Sequence, residues 1–407
     1  MRRHCAEMRS IVAVTYELDD VEGAVRELWE QVKDQPLGKN SFGFVFCDAE
    51  TPHDEFMKEA KARFPFELAG CTSIANFDTD SGTQMMSATL LVLTGDDVFF
   101  SSALTNTLTR ENLAPELRLA YERASEALVG GAKMLFLIPP FNESTPLDNY
   151  VSILSECSGD IPIFGGLPSS NIADSDILMY ADGRSFMDRA AVVLMGGNVR
   201  PLFSVQNILS SFSRMNHTIT RAEENVVYKV DDMPFADYLR NAGLSVDELI
   251  AQKDLAVYVS TPLLVNLNVN DIDDGIPVVR TIKKLNPSDG SGVLFGSISN
   301  QSKISLASMR RNDIQKSVKA LMEDILKKIN EASGGYQYST LFCVSCGGRY
   351  MVMADDKDLE GDVLISHLPE GVKLAGFYAY GEICPTVIDN GKALNRVHNE
   401  SIVICAM

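Results

Sequence analysis

The feature that most constrains the fold is a strand–helix–strand pattern in the first half of the chain. The apolar run Phe42 to Cys47 is typical of a strand, and Thr51-Pro52-His53-Asp54 after it is typical of a helix start. Threonine can cap a helix, proline suits the first helical position, and the aspartate lies where a capping box closes. The segment Glu67 to Thr72 then predicts the next strand and its turn.

The same pattern returns later in the chain at a nearly constant offset. Thr145-Pro146-Leu147-Asp148 repeats the helix start, and Ile161 to Gly166 repeats the strand with its glycine. We therefore predict an internal duplication that covers about residues 41–104 and 133–196. A shorter third echo occurs near the end of the chain, where Leu374-Ala375-Gly376 repeats Leu68-Ala69-Gly70.

The remaining patterns define the rest of the predicted architecture. Met85 to Leu93 and Asp97 to Leu104 predict a hairpin-like pair of strands. From about Pro201, strands with polar turns alternate with short helices, which predicts two regions, 1–210 and 211–407. No low-complexity linker separates them, so we expect them to pack closely. The predicted fold is α/β with mixed α+β elements, in which duplicated strand–helix–strand units form layered mixed sheets.

Composition excludes several classes of function. The formal net charge of −19 disfavours nucleic-acid partners and anionic membrane surfaces, because both need clustered Lys and Arg. No apolar run approaches the ~20 residues that a bilayer span requires, and the N-terminus lacks the apolar core of a signal peptide. The eight cysteines are scattered, which favours free thiols over a disulfide framework and predicts a cytoplasmic protein.

Cysteine chemistry is the first candidate activity. Cys343-Val344-Ser345-Cys346 has the spacing of a redox pair or of half a zinc site, but no second half follows. In a strand these two thiols would face opposite sides, so Cys343 is better explained as a core residue. No histidine falls in a strand-end loop beside Cys71 or Ser73, so nothing indicates a nucleophilic pair. We expect no metal site and no cofactor.

A second candidate is a ligand site beyond the carboxyl ends of strands, where α/β folds bind ligands. An arginine in such a site can bind a carboxylate, and a glutamate can bind an amine, which together would suit an amino acid or another zwitterion. The alternative is that Arg349 and Glu382 pair only with each other. The segments in this position contain the candidate ligand-binding residues Cys71, Thr72, Ser73, Ser169, Asn171, Cys346, Arg349, Tyr380 and Glu382.

Several segments, in order along the chain, resemble the FIST family. The N-terminal part of the resemblance lies in 68–73 and 163–166, and the C-terminal part lies in 278–280, 289–290, 294–296, 342–349, 374–383 and 397–401. The ordered set covers roughly positions 30 to 405, although no single motif is decisive. The resemblance implies a sensory domain of signal-transduction proteins that binds small ligands such as amino acids. Family members are often joined to a kinase, a transmitter or a cyclase.

Three hypotheses remain open. The chain ends at Met407 without an output module, so the favoured one is a cytoplasmic sensor that binds an amino acid-like ligand and signals through a separate partner. The second is a scaffold that binds a protein partner without any small ligand, which a large exposed apolar patch would favour. The third and least favoured is an enzyme with Cys71 or Cys346 as its nucleophile, which would need a thiolate with a depressed pKa.

Overall fold

A computed structural model describes residues 8–142, 145–172, 175–207, 216–251, 259, 261–266, 277–332, 334–389 and 392–407 of the chain. The described residues form three units with the same order of elements. Each unit runs from strand to helix, strand, helix and strand, and then to a two-stranded hairpin and a last strand. The first unit comprises β1 (Arg9–Thr15), α1 (Val21–Val32), β2 (Asn40–Asp48), α2 (His53–Arg63), β3 (Glu67–Ser73), β4 (Asn76–Asp78), β5 (Gly82–Gln84) and β6 (Ala88–Gly95).

The second unit repeats this order without an insertion. It comprises β7 (Val98–Leu104), α3 (Leu113–Ala127), β8 (Ala132–Ile138), α4 (Leu147–Ser158), β9 (Ile163–Gly166), β10 (Met179–Ala181), β11 (Arg184–Phe186) and β12 (Ala191–Gly197).

The third unit carries a further sheet between its first strand and its long helix. Its first strand is β13 (Leu202–Asn207), and the insertion comprises β14 (His217–Glu223), β15 (Val226–Val230), β16 (Met233–Pro234), α5 (Phe235–Asn241), α6 (Val246–Ala251), β17 (Leu263–Asn266), β18 (Val278–Arg280), β19 (Ile282–Leu285), β20 (Gly292–Leu294) and β21 (Lys303–Leu306). The unit ends with α7 (Arg311–Ala332), β22 (Thr340–Cys346), α8 (Gly347–Val352), α9 (Leu359–Ser366), β23 (Lys373–Ala379), β24 (Glu382–Asp389), β25 (Lys392–His398) and β26 (Ser401–Ala406).

Each unit builds a six-stranded sheet and exchanges its hairpin with a neighbour. The three strand orders are β1-β6-β2-β3-β10-β11, β7-β12-β8-β9-β24-β25 and β13-β26-β22-β23-β4-β5. The second and third strands of every unit pair in parallel, whereas the hairpin at the edge comes from another unit and pairs antiparallel. This cyclic exchange ties the three units into one body.

Three equivalent phenylalanines mark the centre of that body. Phe44, Phe136 and Phe342 lie at the same register of β2, β8 and β22. Their ring centroids are 4.6, 5.4 and 5.0 Å apart in the three pairs, and all three rings are fully buried. Each pair adds aromatic packing to a core that all three sheets share.

A glycine occupies the next register position in all three third strands. A Cβ at Gly70, Gly165 or Gly376 would overlap the backbone carbonyl of the adjacent strand. Close approach of two backbones therefore explains the glycine that recurs in the sequence pattern.

The predicted α/β fold with repeated units is confirmed, and the third echo at Leu374 to Gly376 belongs to a third unit. The predicted hairpin of Met85 to Leu93 with Asp97 to Leu104 is wrong, because β6 and β7 lie in different sheets where one unit passes into the next. The predicted threonine caps are also wrong. The helices begin at His53 and Leu147 without a side-chain cap hydrogen bond, and both threonines are buried.

The insertion forms an eight-stranded antiparallel sheet with its own apolar cluster. Arg280 joins it to the three-unit body. The guanidinium is fully buried and donates to Val397 O at 3.1 Å and to Asp148 Oδ1 at 3.2 Å. No helix in the described ranges is both long and apolar enough to cross a membrane.

Candidate functional site

A small cavity lies where the insertion meets the strand ends of the third unit. Its volume is about 20 Å³, close to the room that one water molecule needs. The strand β22 ends at its wall, β23 ends beside it, and the turn between β25 and β26 closes it. The lining residues are Val259, Thr281, Phe295, Cys346, Gly348, Tyr380, Asn399 and Glu400.

Glu400 is the most unusual of these residues. It is only 1% exposed, and its φ of 52° is a left-handed conformation that a glutamate rarely adopts. Thr281 Oγ1 donates to Oε1 at 2.7 Å, whereas Oε2 has no hydrogen-bond partner among the described residues. Burial raises the pKa of this carboxyl to about 7. Strain and an unpartnered buried oxygen at one residue indicate a functional role.

Gly348 makes room for that carboxylate. A Cβ on Gly348 would lie 2.5 Å from Glu400 Oε1, inside van der Waals contact. Gly348 is in the first turn of α8, so the carboxylate rests directly against the start of this helix.

Glu382 lies behind the cavity rather than in its lining. It is fully buried, and Ser401 N donates to its Oε2 at 3.2 Å. Burial, and secondly the charge of Glu400, raise the pKa of Glu382 well above its ordinary value of 4.5. Cys346 hydrogen-bonds to the same carboxyl, and Oε1 has no partner in the part of the chain that the structure describes.

Asn399 adds a second acceptor to the cavity wall. Its Nδ2 donates to His398 O at 2.9 Å, and its Oδ1 is buried with no partner within the described ranges. The cavity wall therefore offers two oxygen acceptors without donors, one on Glu400 and one on Asn399. A group that donates hydrogen bonds, and above all a cationic one, would satisfy both.

Aromatic rings and a lysine surround this end of the fold. The ring of Phe141 lies 5.5 Å from that of Tyr380, whose hydroxyl donates to Ser170 O at 2.6 Å. Lys283 Nζ lies 5.7 Å from the ring centroids of both Phe141 and Phe295. An ammonium group of the chain itself is thus held by cation–π interactions beside the acidic cavity.

Arg349 lies outside the cavity. The side chain points from α8 towards α7 and α9 and does not line the cavity. Its Nε donates to Glu360 Oε1 at 2.7 Å and its Nη2 donates to Ser317 Oγ at 2.9 Å, with both charged groups fully buried. The ion-pair partner of Arg349 is Glu360 and not Glu382. Nη1 has no partner among the residues described.

The predicted serine and threonine side chains join the units to one another. Ser73 Oγ donates to Ala75 O at 2.5 Å and accepts from Tyr378 N at 3.2 Å. Ser169 Oγ donates to Tyr378 O and accepts from Ile74 N. These hydroxyls are buried and satisfied by backbone groups, so they stabilise the meeting point of three strand ends.

Thr72, Cys71 and Asn171 also lie outside the cavity. Thr72 Oγ1 accepts from Leu178 N at 3.1 Å, which fixes the approach of β10 to β3. Cys71 is fully buried in the shared central core. Asn171 is exposed and donates to Asp48 Oδ2 at 3.3 Å. Of the nine predicted residues, Cys346 and Tyr380 line the cavity and Glu382 supports it.

Sequence reasoning missed Glu400, Asn399, Thr281 and Phe295. The tail 397–401 and the segment 278–280 both carried the family resemblance, so a signal close to these residues was present. Charged and polar residues in a turn are usually exposed, and only the fold shows that this turn is buried beneath the insertion.

The two candidate nucleophiles are poor thiolates. Burial raises the pKa of Cys71 and of Cys346 well above the ordinary value of 9.0, and Glu382 and Glu400 raise that of Cys346 further. A reactive cysteine needs the opposite shift. This disfavours the cysteine-enzyme hypothesis.

The comparisons with known proteins agree with the sequence resemblance. The FIST N domain matches residues 41–233 and the FIST C domain matches residues 235–385. No curated protein matches the chain.

Solved structures give only weak likenesses. A cyanuric acid hydrolase is 9% identical at a TM-score of 0.32, with 99% of this chain and 100% of that chain covered. The cyanuric acid hydrolase of A. caulinodans is 10% identical at a TM-score of 0.32, with 98% of this chain and 99% of that chain covered. Phosphoribosylformylglycinamidine synthase II of Thermotoga maritima is 9% identical at a TM-score of 0.21, with 98% of this chain and 71% of that chain covered. TM-scores this low establish no shared activity.

The two domain matches together cover most of the chain, in the order in which the resembling segments occur. The chain belongs to the FIST family, whose N and C domains are sensory domains of signal-transduction proteins.

Proposed function

We propose that this chain is a sensory module that binds an amino acid-like ligand, with the ligand's ammonium group in the cavity at Glu400 and Asn399. The observation that carries the proposal is the pair of buried oxygen acceptors without donors on the cavity wall, Glu400 Oε2 and Asn399 Oδ1. Buried acceptors without donors cost folding free energy, and a donor that binds there recovers it.

The charge of the site favours a cationic donor over a neutral one. Glu400 is about half ionised near pH 7, and an ammonium group that binds beside it would hold it in the ionised form. Burial and the charge of Glu400 raise the pKa of Glu382, so this carboxyl keeps its proton more readily than an exposed glutamate does.

The size of the cavity limits what enters it. A volume of about 20 Å³ takes an ammonium group and not a whole amino acid. The rest of the ligand would lie towards Phe295 and Tyr380, near the ammonium of Lys283. In this proposal Lys283, and not Arg349, binds the ligand carboxylate.

The same contacts suggest how occupancy would be transmitted to a separate signalling protein. Glu400 rests against Gly348 at the start of α8, and the next residue, Arg349, is held to α9 by Glu360. A ligand that fixes Glu400 would therefore fix α8 and, through the buried ion pair, the packing of α9.

A thermal-shift screen tests the proposal with matched ligands. Each amino acid is compared with its N-acetyl derivative, which keeps the carboxylate and loses the ammonium group. At about 100 times its Kd a ligand adds ~2.7 kcal/mol of stability, which raises the melting temperature by a few degrees. We expect a rise with at least one free amino acid and none with its N-acetyl form.

Two variants locate the site. Glu400→Gln should lose the rise, because the charge that binds the ammonium group is gone. Glu224→Gln is the control, since Glu224 has a similar φ of 51° but is exposed. Equal rises for the free and acetylated ligands, or a rise that survives in Glu400→Gln, would refute the ammonium site.

A further inference from the structure

A second cavity lies between the first and second units, at the start of β3 and away from the Glu400 site. Its volume is about 690 Å³, within the range of ~300–1,000 Å³ that is typical of small-molecule sites. Much of its wall is formed by Phe66 just before β3, Leu68 near the start of β3, Leu104 at the end of β7, and the turn at Asp182 and Gly183.

This cavity lacks a hydrogen-bond acceptor that the other two units have at the equivalent place. Leu68, Ile163 and Leu374 occupy the same place, two residues before the recurring glycine. Ile163 N donates to Asn395 Oδ1 at 2.8 Å, and Leu374 N donates to Thr79 Oγ1 at 3.1 Å. In both units a side chain from the exchanged hairpin accepts the outward N–H.

Leu68 has no such acceptor among the described residues. The hairpin that pairs with β3 turns back at Asp182, with φ of 50° there and 72° at Gly183, the left-handed pair of a tight two-residue turn. The Asp182 carbonyl oxygen accepts from Lys61 Nζ at 3.2 Å instead. The Leu68 N–H is thus left on the wall of the cavity without a partner there.

The charged groups that line the cavity already have partners within the chain. Lys61 forms an ion pair with the Asp182 side chain, and the Glu67 carboxylate accepts from Ser102 Oγ at 2.8 Å. The ring of Phe66 stacks on that of Phe64, with 5.5 Å between the ring centroids, and gives the cavity a flat apolar surface.

We propose that this cavity binds a small uncharged molecule with a flat apolar body and a carbonyl oxygen that accepts from the Leu68 N–H. A buried donor without an acceptor costs free energy that such an oxygen recovers, and the apolar body gains by leaving water. The site is independent of the Glu400 cavity.

The test uses benzamide as the probe and amide NMR of the full chain as the readout. On titration the Leu68 amide resonance should shift in a saturable way, while those of Ile163 and Leu374 stay in place. Toluene, which has the ring without the carbonyl, should shift the Leu68 proton less than benzamide does, because no hydrogen bond forms. Without probe, Leu68 should exchange its amide proton faster than the two equivalent residues.

Two tryptophan variants make the test specific. Ser102→Trp fills the cavity from its exposed rim and should abolish the benzamide shift, whereas Ser125→Trp, at an exposed position on α3, should preserve it. No saturable Leu68 shift, a shift that persists in Ser102→Trp, or slow exchange of Leu68 equal to that of Ile163 would overturn the proposal.

Discussion

Replacing Glu400 by glutamine should remove a pH dependence from the stability of the protein. Burial raises the pKa of Glu400 from its ordinary value of 4.5 to about 7. The folded state therefore holds a proton that the unfolded state releases, and the free energy of unfolding falls as the pH rises from about 4.5 to about 7. At 1.36 kcal/mol per pH unit, the loss from this one group is roughly 3 kcal/mol.

Urea unfolding at pH 5 and pH 8 measures this loss. Glutamine is neutral at both values, so Glu400→Gln should lose less stability than the wild type between them, by up to about 3 kcal/mol. Glu224→Gln should behave as the wild type, because Glu224 is exposed. If Glu400→Gln follows the wild-type pH dependence, or is the less stable protein at pH 8, the carboxyl is not buried as described.

Three further predictions follow from the packing. Gly376→Ala places a Cβ against the Cys343 carbonyl oxygen, so we expect a loss of about 1–3 kcal/mol by urea unfolding, and an unchanged midpoint would contradict the strand spacing. Glu360→Gln leaves the buried Arg349 charge uncompensated and should cost about 3–5 kcal/mol in the same assay, whereas a cost near zero would mean an exposed pair. Because the pKa of Cys346 is raised, its thiol should react slowly with iodoacetamide in the folded protein at pH 7.5, and rapid labelling followed by mass spectrometry would revive the cysteine-enzyme hypothesis.

Local sequence patterns predicted the repeated units but not the exchange of hairpins between them. The apolar run Phe42 to Cys47 predicted a strand, and the structure places it within β2. The recurring glycines predicted the repeat, because close strand spacing requires a glycine at one position of each third strand. Nothing local indicates that Asn76 pairs with Phe377, a contact between hairpin and strand of different units. Pairings this distant in sequence depend on the whole fold.

The candidate site was predicted only in part for a similar reason. Cys346 ends a strand, Tyr380 follows one and Glu382 begins one, but which strand ends lie close together depends on the strand order of the sheets. Arg349 follows a strand too, but it lies on a short helix that directs its side chain to Glu360. Glu400 was missed because a charged residue in a turn is normally solvated, and its burial depends on an insertion far away in sequence.

The ammonium site is tested most directly by a crystal structure at pH 8 with an amino acid that raises the melting temperature. We expect the ligand nitrogen within ~3.2 Å of Glu400 Oε2 and Asn399 Oδ1, with the ligand carboxylate towards Lys283. A ligand bound elsewhere, or with its carboxylate in the cavity, would contradict the account.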